Sequence, residues 1–352
     1  MKGRQVVLGR LWGVEAAALM VDGRLEDLLV DPAALAPLAP GAIVRGVVDR
    51  LVKGQGGVFL RLPEGATGYL RDRSGLREGQ VLLAQVSGVA EAGKAVPLTA
   101  RLLFRGRHAI VTPDAPGVNI SRRIRDEGVR AGLERVGQAA LAGHPEGLGL
   151  ILRSAAEFAD ADEVAAEAAE LAALAAAVTA DRTGGPELLV DAPTPWEGAW
   201  RDWADPAPDE VLEGGDAFDD TGVLEAVETL FSPEVALPSG ASAFVEATRA
   251  LVAVDVNTGR DTSPAAGLKA NIALARELPR QLRLRGLGGQ VVVDFAPVPK
   301  RDRGTLDQVL KAAFRGDGSE ATLSGWTAMG LYELSRKRDR VPLARLAQAL
   351  SG

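Results

Sequence analysis

Ala250-Leu251-Val252-Ala253-Val254-Asp255-Val256-Asn257-Thr258-Gly259 is an apolar run that ends in an acidic residue, an amide and a glycine. The same grammar returns 39 residues later, where Gln290-Val291-Val292-Val293 ends in Asp294-Phe295. Between them, Ser263-Pro264 supplies an N-cap and a first-turn proline. Leu268, Ile272, Ala275, Leu278 and Leu282 follow at helical spacing, and Gly286 closes the segment. The pattern predicts strand–helix–strand. A crossover of that length joins parallel neighbours in one sheet. Both aspartates then fall at the carboxyl edge, where open α/β sheets place ligands. Two carboxylates brought together repel, and a divalent cation relieves the repulsion. Aspartate also ends strands as an ordinary turn or cap residue, so either one alone has a structural explanation. Pro279 lies inside the helical pattern and predicts a kink or a split into two helices.

Composition narrows the chemistry. The 352 residues carry no cysteine and only two histidines, His108 and His144. Disulfides, thiolate zinc sites, iron–sulfur clusters and cysteine nucleophiles are excluded. A catalytic metal would have to be held by carboxylates, which points to Mg²⁺ or Mn²⁺. No apolar run is long enough to span a membrane and no signal-peptide core forms, so a cytoplasmic protein is expected. The net charge of −7 is unevenly spread. Residues 157–225 hold 19 acidic and two basic side chains, whereas 269–315 hold ten basic and four acidic. Lys269, Arg276, Arg280 and Arg283 fall near one face of the helix, and Lys300, Arg301 and Arg303 follow the second aspartate. This is either a solvated face or a surface for a polyanion.

Upstream, Val6-Val7-Leu8 and Ala16–Val21, followed by the turn signal Asp22-Gly23, predict an antiparallel pair or meander. Five strand-like runs then lie within residues 42–103: 42–51, 57–62, 67–71, 80–89 and 95–103. They predict a small barrel of OB type. Phe59 and Tyr69 sit on neighbouring strands, as core or as exposed stacking platforms. Residues 104–184 contain the basic run Ser121-Arg122-Arg123-Ile124-Arg125, a strand at 148–152 and an Ala/Glu-rich helix over 162–178. Residues 185–229 read as loops, short strands and a helix near 223–230.

The two aspartate-bearing stretches, with Arg280-Gln281-Leu282-Arg283-Leu284-Arg285-Gly286-Leu287-Gly288-Gly289 leading into the second, resemble the ribonuclease E/G family. The resemblance extends to 18–23, the barrel, 120–124, 149–153 and 330–336. It implies a multi-subdomain α/β protein. An RNase H-like subdomain (1–37 and 185–229) would be interrupted by an S1 barrel (38–103) and a 5′-sensor region (104–184). A DNase I-like catalytic subdomain would occupy 230–352. By motif position Asp255 and Asp294 become metal ligands, and Asn257 supports the scissile phosphate or a ligand. Phe59, Tyr69 and Lys94 match RNA-binding positions of the barrel. Arg122, Arg123, Arg276, Arg280, Arg283 and Lys300 are candidate RNA contacts. Arg153 and Ser154 match the pair that reads a 5′-monophosphate, with serine in place of the usual threonine.

Departures matter as well. Without cysteine the family's zinc link has no ligands, so the expectation is a short form with no structural zinc and no zinc-linked dimer. The homo-oligomeric state stays open. Asn119 stands where a small sensor residue is expected, and Glu320 where a basic one is, which predicts a weakened 5′ sensor. The reading that follows is a Mg²⁺-dependent endoribonuclease acting on single-stranded RNA in processing or decay. The alternative is an RNA-binding or chaperone protein that keeps the fold with little cleavage.

Overall fold

The computed structural model describes residues 3–52, 56–71, 75–91 and 93–351. The chain opens with a meander, β1 (Arg4–Leu11), β2 (Val14–Val21) and β3 (Arg24–Val30). Asp22 and Gly23 link β2 to β3 with positive φ, 50° and 77°. A two-residue type I′ hairpin requires that sign at both positions.

The barrel comprises β4 (Ile43–Leu51), β5 (Val58–Arg61), β6 (Thr67–Leu70), β7 (Val81–Val86) and β8 (Val96–Thr99). Each lies inside one of the five runs. The order is β4-β5-β6-β8-β7, and pairing of β4 with β7 closes it. Strand alternation sends Val58, Leu60 and Leu70 inward with Val44, Val48, Ala84, Val86 and Leu98.

Next come β9 (Phe104–Arg105), β10 (Ala109–Pro113), β11 (Gly117–Ile120), α1 (Glu127–Leu141), β12 (Leu148–Leu152) and α2 (Ala161–Ala180). The four strands form a sheet ordered β11-β12-β10-β9. Asp160 caps α2 by accepting from the Asp162 N–H, and a buried stripe of Val164, Ala168, Ala172, Ala175 and Val178 lets the helix pack closely. β13 (Glu187–Val190) then pairs with β4. α3 (Pro195–Trp203) begins with a capping box between Thr194 and Glu197. It lies in a segment whose prolines and tryptophans read as loop; buried Trp203 and Ala199 against β2 hold it. β14 (Glu210–Glu213) returns to pair in parallel with β1. α4 (Ala217–Asp220) and α5 (Val223–Thr229) bury Phe218, Val223 and Val227 against the meander.

The last unit holds β15 (Glu234–Ala236), β16 (Ser242–Ala247), β17 (Val252–Asn257), α6 (Pro264–Leu284), β18 (Gly289–Asp294), α7 (Lys300–Gly316), β19 (Ala321–Trp326), β20 (Tyr332–Arg336) and α8 (Leu343–Leu350). Its sheet is ordered β15-β16-β17-β18-β20-β19, with β17 and β18 parallel neighbours. Val252, Val254, Val256, Val291 and Val293 share a core with Leu274, Leu278 and Leu282 of α6 and Leu306 and Leu310 of α7. The split expected at Pro279 does not occur, because α6 is one 21-residue helix. Proline costs a helix one hydrogen bond and a clash one turn back. Here Leu274, Leu278 and Leu282, on both sides of it, are fully buried and anchor the helix through the proline.

Buried ion pairs join this unit to the meander. Asp27 on β3 accepts from Arg340, at 3.2 Å for Nη2, and from the indole of Trp203 at 3.3 Å. Asp317 lies between Arg336, at 3.1 Å, and Arg283. No helix among the described residues is long and apolar enough to cross a membrane.

Candidate active site

Asp255 and Asp294 are direct register partners on the parallel strands β17 and β18, whose backbones run about 4.8 Å apart. Alternation turns Val254 and Val293 into the core and both aspartates out to solvent. Asn257, two residues on and therefore on the same face, donates Nδ2–H to Asp255 Oδ2 at 3.2 Å. Neither aspartate has a cationic partner among the described residues, and no third histidine or carboxylate joins them in a metal-holding group there. Two unneutralised carboxylates in register make a hard-oxygen donor set with open positions. That suits Mg²⁺, which typically takes one or two carboxylates and fills the rest with water and phosphate oxygen.

The cationic stripe on α6 divides. Lys269 and Arg276 are exposed, as are Lys300 and Arg301 at the start of α7. Arg280 and Arg283, expected as RNA contacts, are engaged within the chain. Arg280 donates to the Leu25 carbonyl and to Glu277 at 2.6 Å. Arg283 pairs with Glu26 at 2.7 Å and with Asp317. Helical spacing showed the stripe, but not that β3 brings its own carboxylates and carbonyls against it.

The barrel aromatics resolve toward the surface. Phe59 and Tyr69 face each other across β5 and β6, with ring centroids 5.2 Å apart and planes at 50°. Both are half-buried on the outer face, with Val58, Leu60, Gly68 and Leu70 buried behind them. Arg50 lies 4.4 Å from the Phe59 ring centre. Tyr69 lies over Gly57, where an added Cβ would come 2.3 Å from its hydroxyl. Exposed Lys94 pairs with Glu91 at 2.8 Å, and Glu91 also meets Arg338 at 3.0 Å.

A second cluster surrounds Arg153 and Ser154. Arg153 donates to the carbonyls of Gly106 and Arg201, at 2.7 and 3.0 Å, and pairs with Asp202 at 3.2 Å. Ser154 donates to Asp205 at 3.1 Å and accepts from Arg123 at 3.2 Å. Asp202 also holds Arg201 at 2.6 Å. Burial raises the Asp202 carboxyl, but Arg201 and Arg153 outweigh it and hold the group below its ordinary value. Burial lowers the Arg105 guanidinium, helped by Arg201 and Arg153, while Asp202 and Glu320 act in the opposite sense. Glu320 therefore lies within electrostatic reach of this cluster, and it also pairs with Lys337. Asn119 and Arg122 are exposed. Arg105, Arg201, Asp202 and Asp205 escaped the sequence reading. They lie about 50 residues from Arg153, with no local pattern to connect them.

The ribonuclease E/G family profile matches residues 104–213 and 210–339. Ribonuclease E of Nostoc sp. is 28% identical over 92% of this chain and 54% of its own length. Ribonuclease E of Escherichia coli K12 is 30% identical over 75% of this chain and 28% of its own length. For ribonuclease G of the same organism the figures are 29%, 77% and 62%. The chain thus spans less than two thirds of each of these relatives. The profile match takes in both the arginine cluster and the carboxylate edge, and the chain belongs to the ribonuclease E/G family.

Proposed function

We propose that this chain is an endoribonuclease that hydrolyses phosphodiester bonds of single-stranded RNA with the help of Mg²⁺ or Mn²⁺ held by Asp255 and Asp294. The observation that carries this is the register pairing of two solvent-facing carboxylates that no cation among the described residues neutralises. A bound divalent cation supplies Lewis acidity toward the phosphoryl oxygen and a more acidic water. Asn257 orients the Asp255 carboxylate through its Nδ2–H and leaves the other oxygen free. Attack of water on phosphorus leaves a 5′-phosphate and a 3′-hydroxyl. Phe59 and Tyr69 offer bases a tilted aromatic surface outside the barrel, and Lys94, Arg276 and Lys300 are exposed cations for the backbone.

The family relationship supports the finer architecture. Residues 1–37 and 185–229 form the RNase H-like part, which the β1–β14 pairing fits. The barrel over 38–103 is S1-like, residues 104–184 form the 5′-sensor-like region, and 230–352 the DNase I-like catalytic part. The chain's own Asp202 and Asp205 hold Arg153 and Ser154, which favours only a weak preference for 5′-monophosphate ends. We place the protein in the cytoplasm, acting in RNA processing or decay.

The test is incubation of a fluorescent single-stranded RNA with the protein, with and without Mg²⁺. Cleavage that needs the cation and is lost in Asp294→Asn is expected. No cleavage, or cleavage indifferent to chelator and to Asp294→Asn, overturns the reading.

A further inference from the structure

β17, β18 and β19 run in one direction and end at one sheet edge. The first two carry the carboxylates there, and the third ends in Trp326. The Trp326 ring lies 5.7 Å from Phe295, the residue after Asp294, and 5.3 Å from Tyr332 in an edge-on contact. Its indole N–H donates to Asp307 on α7 at 3.0 Å, which fixes the orientation of the ring. One turn earlier on α7, Arg303 lies over that ring with Cζ 4.4 Å from its centre.

Arg303 differs from the arginines at the junction with the meander. Arg280, Arg283, Arg336 and Arg340 all pair with carboxylates. Arg303 has no such pair among the described residues, and its buried Nε has no hydrogen-bond partner. Asp307, one turn away, engages the indole instead. The turn between β19 and β20 lies beside it: a Cβ at Gly330 would sit 3.5 Å from Arg303 Nη2. Met329, next to that glycine, is 88% exposed. A guanidinium stacked on an indole keeps its charge and its N–H edge, and is already ordered before a ligand arrives.

We propose that Arg303 is a backbone-phosphate contact for RNA lying across the carboxylate edge, with Met329 giving the adjoining base an apolar surface; this rests on the reading of that edge as an RNA-cleaving site. β19 lies two strand spacings of about 4.8 Å from β18. The contact therefore falls on a phosphate along the strand from the scissile one. Trp326 and Asp307 are positioning residues for the guanidinium.

The experiment measures binding of a fluorescein-labelled single-stranded RNA to the full chain carrying Asp294→Asn, so that no cleavage intervenes, across a salt series. Adding Arg303→Ala should weaken binding by about 3- to 10-fold and reduce the slope of log affinity against log salt by about 0.7. Arg303→Lys should restore the slope but not the whole affinity, since lysine lacks the planar fork. Arg303→Gln keeps the length without the charge, and serves if the alanine variant melts early. Met329→Ser, at a position with little packing, should weaken binding by a smaller factor at unchanged slope. RNA binding with wild-type affinity and slope in both Arg303→Ala and Arg303→Gln overturns the proposal and leaves the edge reading standing. No RNA binding by the parent protein overturns both.

Discussion

Two sets of aspartates in this protein meet opposite environments. Asp27 and Asp317 are buried, and each is neutralised by arginines contributed from distant parts of the chain. Asp255 and Asp294 are solvent-facing, adjacent in register and without a cationic partner among the described residues. The chain evidently has the means to bring arginine to carboxylate. At the junction of meander and sheet it does so for each buried aspartate, because a buried unpaired charge is strongly destabilising. At the β17–β18 edge no described cation does the same. Similar side chains thus meet opposite surroundings, according to what the fold sets opposite them.

The largest expected effect breaks the bare pair. Asp255→Asn or Asp294→Asn should reduce cleavage by roughly 10³-fold, about 4 kcal/mol in the barrier. The melting temperature should hold or rise slightly, because like-charge repulsion is removed and no core volume is lost. Wild-type cleavage in both variants would erase the contrast.

The neutralised pair should behave in the opposite way. Asp317→Ala removes the buried carboxylate between Arg336 and Arg283, leaves them only their weaker or more exposed partners, and should cost about 3 kcal/mol of stability in urea unfolding. A loss below about 1 kcal/mol would show that the network is incidental. Asp27 adds a pH dependence. Burial raises its carboxyl, but the charge and hydrogen bond of Arg340, with Arg283 and the Leu28 N–H, outweigh burial and hold it below its ordinary value. The unfolded chain then takes up that proton more readily than the folded one. The contribution is present at neutral pH and is lost as pH falls below about 4, toward the lowered folded value. Asp27→Asn should flatten the acid limb of a stability profile.

Smaller effects concern the flanking surfaces. Phe59→Ala or Tyr69→Ala should weaken single-strand binding by about 1–3 kcal/mol. The melting temperature should change little, since both rings lie outside the barrel. A core role would instead cost about 3–5 kcal/mol of stability. The smallest change is expected at the arginine cluster. Asp202→Asn frees Arg153 and should increase the preference for 5′-monophosphate over 5′-hydroxyl RNA by a few fold, within the ~1 kcal/mol typical of exposed pairs. Matched substrates that differ only at the 5′ end measure it, and an unchanged ratio would show that Asp202 does not compete for that site.

The sequence by itself determined the elements whose signal is local. Strand-like runs placed the five barrel strands, the helical period placed α6, and the repeated apolar-to-aspartate ending placed Asp255 and Asp294 at one sheet edge. Each of these is written within a window of a few turns or one strand. Tertiary structure alone decided what faced what. It turned Phe59 and Tyr69 outward and kept α6 whole through Pro279. It set β3 carboxylates against Arg280 and Arg283, and it brought Asp202 and Asp205 to Arg153 and Ser154 across about 50 residues of chain. Charge pairing and burial act through space, so residue spacing announces a cation or a carboxylate but not its partner.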